Sequence, residues 1–188
     1  AQQPVIVIAD PLQQWGEDGR IVWMLRTLGH ERAAFVDGGH AALQAAGLLM
    51  ESGPSKAVPD GNFTVRRNRR WLITRDQLRQ VLGPKGPLII DTRELREYRG
   101  ATPYGELRGG HLPGARHLHY RQLLDRRGFL LPRQQIANRL QKLGSAPSTP
   151  VVAYCTGGVR SAWLVAVLVH LGYERIRNYA GSTWEWSA

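Results

Sequence analysis

The apolar positions of this chain fall into short runs alternating with stretches of helical spacing. Val5-Ile6-Val7-Ile8-Ala9 is a continuous apolar run, the pattern of a parallel strand buried on both faces. Asp10-Pro11 ends it. Across residues 19–29, Ile21, Val22, Leu25 and Leu28 recur at helical spacing, and Gly29 supplies a C-terminal stop. Residues 33–36 read as a second short strand, closed by Asp37-Gly38-Gly39, and residues 41–46 as a helix. This strand-helix-strand unit is too short to close a doubly wound sheet, which takes about 100 residues or more.

Residues 51–66 hold Gly53-Pro54, Pro59 and Asp60-Gly61 and read as a linker. The basic run Arg66-Arg67-Asn68-Arg69-Arg70 follows and reads as a solvated segment, since only Trp71 offers a nearby stacking face for a nucleic acid. From Trp71 a complete pattern runs to the end. It predicts helices over 74–82, 94–98, 133–143 and 161–171, with Thr74 and Gln77 forming a capping box. It predicts strands over 88–91, 116–119, 151–154 and 175–179, with a turn at Gly110–Gly114. The expected fold class is α/β, a doubly wound parallel sheet with helices on both faces, preceded by a partial second unit. Residues 5–38 and 151–181 share the order strand, loop, helix, Leu-Gly, strand, so they read as an internal repeat.

Composition narrows the function. The 188 residues are 43% hydrophobic and 21% charged, as in an ordinary globular protein. Apolar runs such as residues 163–169 are far too short to cross a bilayer, and no charged segment leads into an apolar one at the start. The chain opens on an apolar strand without Met, and we expect a truncated product. Twenty-five Lys and Arg against fifteen Asp and Glu leave +10, which favours an anionic partner. Cys155 is the single cysteine, so an intramolecular disulfide and an all-cysteine zinc site are excluded. A lone thiol suits a reducing compartment.

Cys155 follows the last apolar residue of a strand and precedes Thr156-Gly157-Gly158-Val159-Arg160 and a helix. In an open parallel sheet, ligands bind beyond the carboxyl ends of the strands. Two glycines let the backbone turn tightly and aim its N–H groups inward. The helix N-terminus adds positive potential, and Arg160, if directed into the cradle, adds a full charge. Cysteines in such settings have pKa values of ~3.5–7.5, against ~8.5 when free. A purely structural cysteine would suit the position of Val152 or Ala153 better.

The segment Cys155-Thr156-Gly157-Gly158-Val159-Arg160-Ser161 resembles the active-site loop of the rhodanese (sulfurtransferase) family. Asp91-Thr92-Arg93 with Tyr98 and Gly100 is similar to the family's Asp-x-Arg strand-end motif. Gly110-His111-Leu112-Pro113-Gly114-Ala115 is similar to its Gly-His-Ile-Pro-Gly-Ala turn, and Tyr179-Ala180-Gly181-Ser182 with Glu185-Trp186 to its closing motif. The motifs stand in order over residues 67–188. The resemblance implies a catalytic rhodanese domain over 67–188, a linker over 51–66, and over 1–50 the C-terminal half of an inactive rhodanese-like domain. Asp10 stands where that copy's nucleophile would be, and a carboxylate there would repel an anionic substrate.

The resemblance also implies a two-step sulfur transfer through a Cys155 persulfide. Loop N–H groups of Thr156, Gly157, Gly158, Val159 and Arg160 would stabilise the anionic sulfur, and Arg160 would help hold the donor. Arg93 would be a second cation at the cleft or one half of an ion pair within the domain. Asp91 would bond loop N–H groups, and His111 would order its turn. No metal or organic cofactor is implied. The expected partners are a small anionic sulfur donor and a thiol or cyanide acceptor, with a sulfur-acceptor protein as a further candidate and neither nucleic acid nor membrane. The expected location is cytoplasmic.

Loop length separates related chemistries. Cys155 and Arg160 enclose four residues, whereas cysteine phosphatases resemble Cys-x5-Arg, with a wider cradle. Mercaptopyruvate-type members resemble Cys-Gly-Ser/Thr-Gly-Val-Thr with a further Arg four residues after the Asp-x-Arg; this chain has Arg160 and Glu97 there. Thiosulfate is therefore the expected donor. The alternatives are 3-mercaptopyruvate, a rhodanese-like phosphatase or arsenate reductase, and a sulfur-carrying module that binds a partner. His117 and His119 face one side of a strand but lack a third ligand at metal-site spacing. His30, His40 and His170 read as surface or helix-end residues. Trp15, Trp23 and Trp163 read as packing residues, and Trp184 and Trp186 as candidate cleft walls.

Overall fold

The computed structural model describes residues 3–54 and 61–188. The first unit comprises β1 (Val5–Val7), α1 (Glu17–Thr27), β2 (Ala33–Phe35) and α2 (Gly39–Ala45). The second comprises α3 (Arg75–Val81), β3 (Leu88–Asp91), α4 (Leu95–Tyr98), β4 (Arg116–His117), α5 (Arg133–Lys142), β5 (Val151–Tyr154), α6 (Val159–His170), β6 (Ile176–Asn178) and α7 (Ser182–Trp186). Strands β4-β3-β5-β6 form one parallel sheet in that order, while β1 and β2 pair parallel as a two-stranded ribbon.

Alternation along the strands splits the core between the two faces of the sheet. Ile90, Val151, Ala153 and Ile176 meet α5 and α6 on one face, through Ile136, Leu140, Leu164 and Leu168. Ile89, Val152 and Tyr154 meet Ile73, Leu78, Leu112 and Tyr179 on the other. β5 lies between two neighbours, so all of its residues are buried. Helix α6 is apolar on nearly every side because the sheet covers one side and α1 the other. The approach of α1 is close: a Cβ on Gly16 or Gly19 would overlap Trp163.

Both repeat units run from a parallel strand through a loop to a helix whose N-cap is a left-handed glycine, Gly16 at φ 86° and Gly158 at φ 82°. Each helix ends at Leu-Gly, with Gly29 and Gly172 also at positive φ. The capping box of Thr74 and Gln77 is present.

Several expectations need correction. β1 is not buried on both faces: Ile6 is 57% and Ile8 40% exposed, because the ribbon packs on Val22 and Ala166 from one side only. Of the linker expected over 51–66, residues 55–60 lie outside the described residues, and at its last residue the Arg66 N–H donates to the Leu28 carbonyl at the end of α1. His30 is a helix-end residue, its N–H closing α1 on the Leu25 carbonyl, but it is buried against Phe63 and not on the surface. The arginines of the basic run are exposed, as expected, and Arg70 covers the Trp71 ring at 4.7 Å. Helix α7 and the 3-10 turns Arg69–Trp71 and Tyr120–Leu123 have no apolar periodicity long enough to foretell them.

Candidate active site

Cys155 sits at the carboxyl end of β5, immediately before the glycine turn into α6. Gly158 must be glycine: its φ is positive, and a Cβ would overlap the Ala180 carbonyl. A Cβ on Gly157 would overlap the Trp184 ring. The turn aims the Gly158 N–H at the Cys155 sulfur at 3.1 Å. The Ser161 hydroxyl stands 3.6 Å from the sulfur and 2.7 Å from Asn178 Oδ1, so its single proton serves one or the other. Asn178 in turn donates to the Gly158 carbonyl.

Helix α7 braces the loop from the far side. Ser182, held at φ 53°, accepts the Cys155 N–H at 3.0 Å. Thr183 donates its N–H and hydroxyl to the Cys155 carbonyl, and the Trp184 N–H reaches the Thr156 carbonyl.

Arg160 brings the strongest charge. Burial pushes the Cys155 thiol up, but Arg160, Ser161 and the Gly157 N–H outweigh it and hold the thiol below its ordinary range. The guanidinium is not free, however. Its two terminal nitrogens donate to Glu97 at 2.7 and 2.9 Å, and one also donates to the Thr156 hydroxyl at 2.7 Å. Glu97 is fully buried on α4. Burial raises its carboxyl, yet Arg160, Thr156 and the Glu94 N–H bring it below the usual carboxylate range. The thiolate's chief counter-charge therefore arrives already paired with a carboxylate. His119, half-buried near Arg160, is pushed down to about 4 by desolvation and by that charge.

A cleft of about 50 Å³ opens on Cys155, Thr156, Gly157, Val159 and Arg160 and is walled by Trp15, Tyr104 and Trp184. Trp15 meets Tyr104 edge-on at 5.2 Å, and Trp184 donates to the Tyr104 carbonyl at 2.9 Å. The Arg160 guanidinium lies 5.8 Å from the Trp15 and Tyr104 ring centres. A wider depression of about 620 Å³, beside Gly83 and Pro87, does not reach Cys155, and the smaller cleft is the one that opens on it.

The structure thus gathers Cys155, Thr156, Gly157, Gly158, Val159 and Arg160 around one sulfur. Arg93 does not join them. It is 1% exposed, its guanidinium is spent on Asp91 at 2.6 Å and on the Gly110 carbonyl, and it does not line the cleft. Of its two expected roles, the geometry gives the internal ion pair. Asp91 accepts the Arg93 N–H and the Tyr154 hydroxyl, and so ties two strand ends together. His111 stacks on Tyr98 at 3.9 Å and pairs with its carbonyl, which orders the turn. Trp15, read from sequence as packing, is a cleft wall, whereas Trp186 packs on Tyr179 instead. Among the described residues no group of three His, Cys, Asp or Glu is placed to hold a metal ion.

Glu97, Ser161, Asn178, Ser182 and Tyr104 went unassigned in sequence. Glu97 carried a usable signal, a carboxylate where a second arginine would mark another donor class. A further omission is Arg20 on α1, which donates to the Gly158 carbonyl at 3.0 Å from the other unit.

A family model described as "Rhodanese-like domain" matches residues 74–188. The chain is 33% identical to the thiosulfate sulfurtransferase of Azotobacter vinelandii, over 91% of this chain and 62% of that protein. It is 32% identical to a probable 3-mercaptopyruvate sulfurtransferase of Pseudomonas aeruginosa, over 95% of this chain and 69% of that one. Among solved structures it superposes on the 3-mercaptopyruvate sulfurtransferase of Leishmania major with a TM-score of 0.80 at 28% identity, covering 99% of this chain and 51% of the other. The chain therefore spans about three-fifths of the A. vinelandii relative's length.

Proposed function

The chain belongs to the rhodanese-like domain family, and from that premise we propose that it is a sulfurtransferase carrying a sulfane sulfur on Cys155. One observation carries the reading: a thiol at the end of β5 receives the Gly158 N–H at 3.1 Å inside a Cys-to-Arg loop of six residues. That cradle suits a single anionic sulfur, and a phosphate asks for a longer loop.

The Cys155 thiolate attacks the outer sulfur of thiosulfate. The S–S bond of the donor breaks, its electron pair leaves with sulfite, and Cys155 carries a persulfide anion. Cyanide, or a thiolate in the cell, then takes the outer sulfur and returns the thiolate. Charge balances in both steps, and neither needs a general base because each nucleophile is already ionised. The glycine-turn N–H groups hold the sulfur before and after transfer. Trp15, Tyr104 and Trp184 exclude water from the persulfide.

The second donor reading is 3-mercaptopyruvate, favoured by the name of the P. aeruginosa relative. Arg160 and Glu97 favour thiosulfate, because the positions expected to distinguish mercaptopyruvate members form an ion pair with each other. Residues 1–50 fit the second half of an inactive copy: Asp10 accepts the Leu12 and Gln13 N–H groups of its own loop and leaves no nucleophile there.

Intact mass before and after thiosulfate tests the proposal. The wild type gains one sulfur atom, cyanide removes it, and Cys155→Ser gains none. A folded wild type that gains nothing from thiosulfate but gains sulfur from mercaptopyruvate shifts the donor. Gain from neither sinks the sulfur-transfer reading.

A further inference from the structure

We propose that Arg20, which belongs to the first unit, is a positioning residue of the Cys155 site: it anchors the Gly158 carbonyl and so fixes the N–H cradle beneath the sulfur. The inference rests on Cys155 being the nucleophile of the reaction proposed above.

The geometry runs through one short segment of backbone. The Gly158 N–H points at the sulfur at 3.1 Å. The Gly158 carbonyl, on the other side of the same residue, accepts from Arg20 at 3.0 Å and from Asn178 at 3.2 Å. With the Ala162 N–H of α6 at 3.3 Å, three donors meet that oxygen, and the two side chains add to the helix's own bond in fixing the peptide at a left-handed glycine, the residue with the most freedom to turn away. They also polarise the peptide toward its own N–H, that of Val159, at the mouth of the cradle. Arg20 is itself held, with its guanidinium 4.8 Å above the Trp23 ring. Gly16 and Gly19 bring α1 close enough to α6 for it to reach across.

Charge supports the same role. Three helices and two connecting segments bring charged or titratable groups toward this sulfur. Arg160 comes from α6, with Glu97 of α4 bound to it. His119, after β4, lies near Arg160 and is pushed down to about 4, so it adds no charge above that pH. Tyr104 faces it across the cleft. From α1 comes Arg20, whose charge interacts with Cys155 and which has no carboxylate within 4 Å among the described residues. On α7, Glu185 turns to Tyr179 instead. Arg160 acts on the thiol while shared with Glu97; Arg20 is a second cation near the sulfur and, among the described residues, is in no ion pair.

The experiment is the rate of Cys155 alkylation by iodoacetamide against pH, on the full chain, for wild type, Arg20→Met and Arg20→Lys. The agent is uncharged, so the profile reads the thiolate and not donor binding. Loss of Arg20 raises the midpoint by roughly half a unit to one unit, which slows the acid limb about threefold to tenfold. Lysine restores part of the shift. An unchanged midpoint in natively folded Arg20→Met overturns the proposal. Should that variant not fold, Arg20→Gln, which keeps a donor and loses the charge, takes its place. Its midpoint rises by a smaller amount if the proposal holds, and an unchanged midpoint again overturns it. Failure of the sulfur-transfer reading would appear elsewhere, as a wild type that takes no sulfur from thiosulfate while its alkylation profile keeps its dependence on Arg20.

Discussion

At the residue scale the centre of the site is a buried ion pair that the reaction does not consume. Glu97 and Arg160 meet at 2.7 Å with both side chains nearly inaccessible. Such a pair adds little net stability, but removing one partner strands the other charge and costs about 3–5 kcal/mol. Glu97→Gln is therefore expected to lose about that much in urea unfolding at pH 7. The sign with pH follows from its lowered carboxyl. Stability from Glu97 is fully present above the unfolded carboxyl pKa of ~4.3 and fades as pH falls below it, through the depressed folded value. The gap between wild type and variant should therefore narrow toward pH 3, and a constant gap would contradict the assignment. Cys155, Asp91 and His111 were legible in sequence because each sits in a short motif whose chemistry is local. The Arg93 role was left open because a strand-end arginine two residues from an aspartate can turn either way. Burial against Gly110 settles it.

At the element scale the helix behind the nucleophile is placed by glycines on its neighbour. Helix α6 carries the apolar run 163–169 seen in sequence, and what covers it on the side away from the sheet is α1, seated where Gly16 and Gly19 leave room for Trp163. Gly19→Val should force the helices apart. Overpacking of this kind costs about 1–3 kcal/mol, or roughly 2–4 °C of melting temperature for each kcal/mol in a chain of this size. A melting temperature equal to wild type would show that α1 can shift freely. Strands β3 and β5 were readable as short apolar runs, and the alternation of their side chains between the two faces follows from the period of a strand. Helix α7 was not: its five residues start at a left-handed serine, and their order comes from bonds to the Cys155 loop.

At the scale of the whole molecule the net charge of +10 becomes a statement about rate. A field of that sign steers an anionic donor and is screened within a Debye length of about 10 Å at 0.1 M salt. Persulfide formation from thiosulfate should therefore slow several-fold between low and physiological salt, while alkylation by uncharged iodoacetamide stays level. Equal salt dependence for both would assign the effect to the fold and not to steering. The chain's own arithmetic determined the α/β order, the two-faced sheet, the glycine turn after Cys155 and the family resemblance. These rest on hydrophobic period and backbone freedom, which act between near neighbours. The tertiary structure alone decided that Glu97 neutralises Arg160, 63 positions away, and that Arg20 reaches Gly158 from 138 positions away. It also decided that Trp15 walls the cleft. Such pairings depend on which helix faces come together when the core closes, and no local pattern in the sequence records that distance.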